Sequence, residues 1–310
     1  MRAKNKKASR KATKAISKKK VVLVTGGAGF IGSHLVEALV KDGGYKVYSL
    51  DNYFTGSKEN HVKGVTYIEG HTKDIAKLVK EIPRTIFHLG EYSRVEKSFE
   101  DLEFVWEFNK VGTFAVLEFC RKHNIKLIYA GSSTKFGDGG IGRDQSPYAW
   151  TKASNTELVR NYSNWFGLKY AVTYFYNVYG PREISKGPYA TVIGIFKEKH
   201  KNGEPLHVVS PGTQIRNFTH IDDIVDGLVK VGEKGEGDDY GLGSKEDGYS
   251  ILEIAKMFSK NIVMLPERKG NRMNTDVDVI RAEKELKWKA KKNIRDYIQE
   301  HIKSVSKNKK

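Results

Sequence analysis

The sequence predicts an α/β chain: a doubly wound parallel sheet followed by a second, smaller α/β region. Three observations carry this expectation. The stretch "VVLVTGGAGFIGSHLVEALVKDGGYKVYSLDN" reads as strand, glycine turn, amphipathic helix and strand. Strand-like runs then alternate with helical ones as far as about residue 175. At 310 residues, with 39% apolar and 11% aromatic content, the chain is long enough to bury a large core.

The chain opens on "MRAKNKKASRKATKAISKKK", residues 1–20, with ten Lys or Arg and no acid. Of the formal net charge of +17, only +7 belongs to the remainder, so much of the basicity is an appendage. Such a run reads as a solvated, disordered tail, and the lysine-rich "KSVSKNKK" at the other end reads the same way. Nucleic-acid contact through the tail is the lesser alternative. No stretch reaches the roughly eighteen apolar residues of a membrane helix, and no apolar secretory core stands at the start. The single Cys120 leaves no intrachain disulfide and suits a reducing, cytoplasmic setting; its place in "FAVLEFCRKH" reads as core.

In the first strand–turn–helix unit Gly26, Gly29 and Gly32 stand three apart across the turn. Gly26 permits the tight turn, Gly29 lets backbone approach a pyrophosphate, and Gly32 lets helix and strand pack closely. Asp51 falls nineteen residues after Gly32, at the end of the second strand. A carboxylate there can hold both adenosine ribose hydroxyls and repels a 2′-phosphate, so the pattern is that of a Rossmann-type domain preferring NAD to NADP. "VTYIEG", "TIFHLG", "KLIYAGSS" and "LKYAVTYF" read as further strands, with "SFEDLEFVWEFNKVGTFAVLEFCRKH" a long helical stretch between them. Beyond Tyr174 the regularity fades: "NVYGPREISKGPYATV" reads as a loop, "QIRNFTHIDDIVDGLVKV" as a return to the sheet followed by a helix, and "NIRDYIQEHIKSV" as an amphipathic end helix. The expected organisation is a tail over 1–20, a dinucleotide-binding domain over 21–178 with 218–239 returning to it, and a smaller domain over most of 179–310.

"SPYAWTKAS" adds chemistry to this frame. Ser146 is a good N-cap and Pro147 a good first helical residue, so Tyr148 and Lys152, four apart, share one face in the first turns. A phenol with an ordinary pKa of about 10 needs about 4 kcal/mol of help to act as a base near neutrality. An ammonium at roughly 6 Å and an effective dielectric of about 20 supplies about 3 kcal/mol, and the helix N-terminus about one more.

With "TGGAGFIGSH", "DNYFTG", "FHLG", "NKVGT", "AGSSTKFGD", "PYAWTK", "YNVYGPR", "QIRNFTHIDDI" and "RKGNR" in this order, the chain resembles the extended short-chain dehydrogenase/reductase family. Within it the likeness is to nucleotide-sugar epimerases of the UDP-glucose 4-epimerase type. The resemblance implies NAD as cofactor, a nucleotide-diphosphate sugar as substrate, and epimerisation at C4 through a transient keto sugar. Dehydratase, dehydrogenase or reductase chemistry on the same fold, or a non-catalytic RNA-binding member, are the alternatives. By the same resemblance Tyr148 is the catalytic base, Lys152 its partner that also holds the nicotinamide ribose, and Ser132 the hydroxyl that aligns substrate. Phe30, Ile31, Asn52 and Leu89 join Gly26, Gly29, Gly32 and Asp51 around the cofactor, and Asn177, Arg216 and Arg268 contact the sugar-nucleotide. Dehydratases carry Asp-Glu directly after the aligning hydroxyl and decarboxylases a Glu two positions after it; here Ser133 and Thr134 stand there, and "SSTKFG" resembles the epimerase pattern with Phe136 for its Tyr. His34, His88 and His220 have no metal-ligand spacing and read as packing or hydrogen-bonding groups.

Three departures from the family's pattern bear on the site. His71 replaces an adenine-contacting Asp, Glu91 and Tyr92 occupy a small apolar segment beside the cofactor, and only fifteen residues separate Ser132 from Tyr148. The stretches 99–123 and 146–167 carry surplus apolar positions, including Phe104, Phe108, Trp150 and Trp165, and the resemblance implies that they pair with their twofold mates in a homodimer.

Overall fold

A computed structural model gives the structure and describes residues 19–136, 138–246, 248–267, 273 and 276–307. Most of the tail, at 1–18, and Arg268 lie outside them. Strand β1 (Lys20–Thr25) opens the fold and runs through the glycine turn into helix α1 (Phe30–Asp42), β2 (Tyr45–Asp51), β3 (Val65–Glu69) and a single turn, α2 (Ile75–Leu78). After β4 (Thr85–His88), α3 (Leu102–Val105) passes into a π-helical stretch at Trp106–Gly112 and then α4 (Thr113–His123). Next come β5 (Lys126–Ser132), α5 (Pro147–Phe166) and β6 (Tyr170–Phe175). The remainder is β7 (Val178–Tyr179), α6 (Val192–Asn202), β8 (Leu206–Val209), β9 (Ile215–Asn217), β10 (Thr219–His220), α7 (Ile221–Lys234), β11 (Gly237–Leu242), β12 (Gly248–Ser250), α8 (Ile251–Phe258), β13 (Ile262–Leu265), α9 (Ile280–Leu286) and α10 (Ile294–Lys307).

Seven parallel strands form the central sheet in the order β11-β6-β5-β4-β1-β2-β3. Strand residues alternate between its faces, so the sheet carries two cores. Val22, Val24 and Ile128 pack with Leu35, Leu228 and Trp288 on one face. Leu23, Ile86 and Leu127 pack with Leu117, Val159 and Tyr174 on the other. A third core, around Phe196, Phe218, Ile254 and Ile298, holds the later elements together. The strand order reverses between β1 and β4, which places a crevice at the carboxyl ends of these strands.

Two expectations change. The segment before α7 does not rejoin the sheet: β9 pairs with β12 and β10 with β7 in two-stranded pieces, and the returning strand is β11, after the helix. The long helical stretch is broken by the π turn, which frees the backbone carbonyl of Asn109 to accept 2.6 Å from Asn155 Nδ2 on α5. Of the four surplus aromatics, Phe104, Trp150 and Trp165 are exposed. Phe108 is buried within its own chain against Phe54 and Tyr92, so it belongs to the pocket wall rather than to a free face.

Candidate active site

The glycine turn after β1 works through two close approaches. Gly26 adopts φ of +72°, and a Cβ there would lie 2.9 Å from the Cα of Gly90, on the loop after β4. A Cβ on Gly32 would lie 2.0 Å from the Gly26 carbonyl oxygen, so α1 can start this close to the turn only with glycine. The first turn of α1 holds no acid, which leaves its N–H groups and dipole open to an anion. Asp51 is fixed at the end of β2 by N–H donation from Ala28 to Oδ2 at 2.8 Å and from Tyr53 to Oδ1 at 2.8 Å. Burial pushes its pKa up and these two N–H groups act against that push. Each oxygen keeps a lone pair for a ribose hydroxyl.

At the next strand ends, α5 starts as its caps dictate: Ser146 Oγ accepts from Ala149 N at 3.1 Å, and Pro147 is the first helical residue. Tyr148 OH then donates to Ser132 Oγ, at the end of β5, over 3.2 Å. Thr134 also approaches that oxygen, with Oγ1 at 2.9 Å and the longer N contact at 3.3 Å, and the donors share its two lone pairs, which leaves the Ser132 hydrogen to an acceptor other than Tyr148 or Thr134. Lys152, one turn along α5, is buried; its Nζ donates to the Ala130 carbonyl and to Glu91 Oε2 and sits 4.5 Å from the centre of the Tyr129 ring.

Glu91 is the group whose surroundings the sequence did not disclose. Besides pairing with Lys152, its Oε1 accepts from Thr113 Oγ1 at 2.6 Å, Asn155 Nδ2 at 3.0 Å and Tyr129 OH at 3.2 Å. Burial favours its neutral form, but the Lys152 ammonium and these donors outweigh it and hold the carboxyl below its usual range. His88 continues the network: Thr25 Oγ1, which accepts from the Leu89 and Gly90 N–H groups, donates to Nδ1, and Nε2 donates to Thr113 Oγ1 at 3.0 Å. Burial pushes the His88 pKa down to about 4, so the ring is neutral near pH 7. Tyr92 turns away from this network, donating its backbone N–H to Asn109 Oδ1 at 2.7 Å and its hydroxyl to Asp101 at 2.9 Å.

Gly26, Gly29, Phe30, Ile31, Gly32, Asp51, Asn52, Leu89, Ser132, Tyr148, Lys152 and Asn177 all line one cavity of about 440 Å3. That is a size suited to a small-molecule ligand. Asn177, at φ +36°, also donates to the Asn217 carbonyl at 2.9 Å. Arg216 is not part of the lining; its Nη1 donates to the Ile215 carbonyl at 2.8 Å. His71, at the far end of the same cavity, accepts from Lys73 N on Nδ1, and its buried Nε2 has no partner among the described residues. That atom offers a donor where a carboxylate would offer an acceptor, and together with Asp51 and the α1 terminus it makes a cleft that fits a dinucleotide. Arg94, unmarked by any motif, lines the cavity as well.

A family model described as the NAD dependent epimerase/dehydratase family matches residues 22–243. The chain belongs to this family. As an extended short-chain dehydrogenase/reductase of this type it uses NAD. It is 29% identical over 306 residues to a putative UDP-glucose 4-epimerase of Methanocaldococcus jannaschii, covering 93% of this chain and 99% of that one. Among solved structures, UDP-glucose 4-epimerase of Thermotoga maritima with UDP-glucose matches with a TM-score of 0.85 and 28% identity, covering 94% of this chain and all of the other. The Thermus thermophilus UDP-glucose 4-epimerase complex with NAD gives a TM-score of 0.81 and 27% identity, covering 92% of this chain and 99% of that one. UDP-glucuronic acid decarboxylases of Arabidopsis thaliana are also similar over most of the chain, so the relatives of this family member run more than one reaction on nucleotide sugars.

Proposed function

We propose that this protein epimerises a nucleotide-diphosphate sugar at C4 through a transient keto sugar. The observation that carries the reading is the hydrogen bond from Tyr148 to Ser132 in the lining of the cofactor cavity, with Lys152 buried one turn along α5. The Tyr148 hydroxyl that donates to Ser132 gives up its proton before it acts; the resulting phenolate oxygen takes the proton of the C4 hydroxyl, and the Ser132 hydroxyl aligns that group. NAD, held by the glycine turn, Asp51 and Lys152, would supply reversible hydride acceptance at C4. Turning of the keto sugar before the return inverts C4, and Tyr148 gives its proton back to the new hydroxyl. Lys152 holds the nicotinamide ribose with the N–H left over from Glu91 and Ala130. Asn177, in the cavity lining, serves the sugar-nucleotide, and Arg216, outside that lining, and Arg268, outside the described residues, are assigned to its diphosphate by the family resemblance alone.

The positions after Ser132 favour epimerisation over elimination or decarboxylation. Thr134 spends its hydroxyl on Ser132, and Ser133 has no carboxyl to lend. Glu91 is saturated by Lys152, Thr113, Asn155 and Tyr129 and is not a free acid or base. Residues 21–178 form the cofactor domain in this reading, rejoined by 218–239, and most of 179–310 the sugar-nucleotide domain; residues 1–20 are a basic tail. No helix among the described residues is long and apolar enough to cross a membrane. The cytoplasmic setting in this proposal rests on the single Cys120.

A homodimer belongs to the same proposal. Phe104, Trp106 and Phe114 on the α3–π–α4 unit and Trp150, Trp165 and Phe166 on α5 are exposed. Trp106 stacks on Trp150 at 6.1 Å, so aromatic side chains of the two helical segments meet at the surface. Incubation with UDP-, GDP- and dTDP-sugars, read by NMR, tests the chemistry: a C4 epimer without net cofactor reduction is expected, and a dehydrated or decarboxylated product overturns it. Sedimentation at micromolar concentration should give twice the monomer mass; a monomer removes the interface.

A further inference from the structure

Arg94 stands in the loop that follows β4, in the lining of the cavity that also holds Ser132, Thr134 and Tyr148. Its Nε and Nη2 both donate to the Tyr189 carbonyl, the first at 2.7 Å, and Nη1 donates to the Ser93 carbonyl at 3.1 Å. Three of five N–H donors are thus engaged by neutral carbonyls, and one on each Nη remains. Among the described residues no Asp or Glu forms an ion pair with it. Asp101 accepts instead from the hydroxyls of Tyr92, at 2.9 Å, and Tyr189, at 2.7 Å. The surrounding wall is aromatic, with Phe54 against Tyr92, Phe108 and Tyr189. Burial acts against the charged form of Arg94, and the groups that act for it are the phenols of Tyr148 and Tyr92.

A guanidinium held in an apolar wall without a counter-charge is costly, and an anion brought by the ligand removes that cost. The position says which part of the ligand. Tyr189, whose carbonyl Arg94 holds, and Tyr148, the group at the reacting carbon, pack against the same cluster of Tyr92 and Phe108, so Arg94 belongs to the Tyr148 side of the cavity and serves the sugar rather than the glycine turn. A planar fork held rigid by two carbonyls matches a carboxylate. We propose that Arg94 is the recognition residue for a carboxylate on the sugar ring, and that the substrate is a nucleotide-linked uronic acid. This rests on the nucleotide-sugar reading given above and names its substrate class.

The test is titration of the NAD-loaded protein with UDP-glucuronic acid, UDP-galacturonic acid, UDP-glucose, UDP-galactose and UDP, beside kcat/KM for the four sugars. The wild type should bind the uronic acids roughly 30-fold more tightly than the hexoses, the scale of one charge-assisted pair. Arg94→Gln should erase that preference while changing UDP affinity less than about threefold, and Arg94→Lys, which keeps the charge, should restore part of it. Equal or tighter binding of the hexoses by the wild type overturns the proposal. So does a loss in Arg94→Gln shared equally by uronic acids, hexoses and UDP, which assigns Arg94 to the diphosphate or to holding the Tyr189 segment. The two readings fail separately: a uronic-acid preference without any C4 epimer sinks the reaction and keeps the site, and a C4 epimer made only from hexoses does the reverse.

Discussion

Replacing Glu91 by alanine strips Lys152 of its counter-charge in a place where both side chains are nearly sealed, at 3% and 5% exposure. The ammonium keeps the Ala130 carbonyl and the Tyr129 ring at 4.5 Å, while Thr113, Asn155 and the Tyr129 hydroxyl lose their shared acceptor. Breaking one partner out of a buried pair costs about 3–5 kcal/mol, and because Glu91 and Lys152 border a cavity that admits water, the lower end, about 3 kcal/mol, is expected. Against a total stability of about 5–15 kcal/mol this is a large loss. Urea unfolding at pH 7.5 with an unchanged m-value measures it. Combining Glu91→Ala with Lys152→Met removes the stranded charge, so the double variant should be more stable than the sum of the two losses by about 2 kcal/mol. A cost below about 1 kcal/mol for Glu91→Ala, or strict additivity in the cycle, would refute the reasoning.

Tyr148→Phe removes the hydroxyl that bonds Ser132 while keeping the ring, so turnover should fall by roughly a hundredfold or more with NAD content intact; wild-type-like turnover excludes Tyr148 as the base. The wild type should bind NAD at least about tenfold more tightly than NADP, and Asp51→Asn, which lacks the charge that repels a 2′-phosphate, should narrow the gap; equal affinity of the wild type for both overturns the role of Asp51. His88 is held neutral, with its pKa pushed from 6.5 down to about 4, so the unfolded chain takes up its proton first as pH falls. Its contribution should be complete above about pH 6.5 and decline toward pH 4 by about 3 kcal/mol in all, and His88→Gln should flatten the urea midpoint between pH 7 and pH 5. Glu91 acts outside that window, because a carboxyl whose pKa is lowered on folding loses its contribution only below the ordinary carboxylate range. An equally steep profile in the variant would discount His88.

The parts of the site that the sequence made visible are those where local chemistry decides geometry. Gly26, Gly29, Gly32 and Asp51 sit within one strand–helix–strand unit, and Ser146-Pro147 fixes where α5 begins and hence that Tyr148 and Lys152 share a face. What was not visible depends on contacts between distant segments. Glu91 could be recognised as out of place beside a cofactor, but its partners come from 22, 38, 61 and 64 residues away, and no spacing encodes them. Arg94 has the same difficulty, since its acceptor at Tyr189 lies 95 residues on. The π turn within 106–112 escaped because its cause, an acceptor for Asn155, is tertiary, and hydrophobic periodicity over seven residues does not separate α from π. The pattern "QIRNFTHI" has the alternation of a strand and so suggests a return to the sheet before α7, but the short pairs it forms satisfy that pattern outside the main sheet.

The distribution of indoles gives this molecule a built-in optical gauge. Trp288 is sealed in the core, whereas Trp106, Trp150 and Trp165 face outward on the helical segments proposed to pair. Trp106 and Trp150 lie nearly parallel, 9° apart, with the Lys110 ammonium 5.4 Å from the centre of the Trp150 ring. Covering that face moves three emitters from water to an apolar contact and leaves the fourth unchanged, so fluorescence wavelength against protein concentration traces assembly without any label. Trp150 is two residues from Tyr148, and the same emission therefore reports on the helix that carries the proton-transfer group.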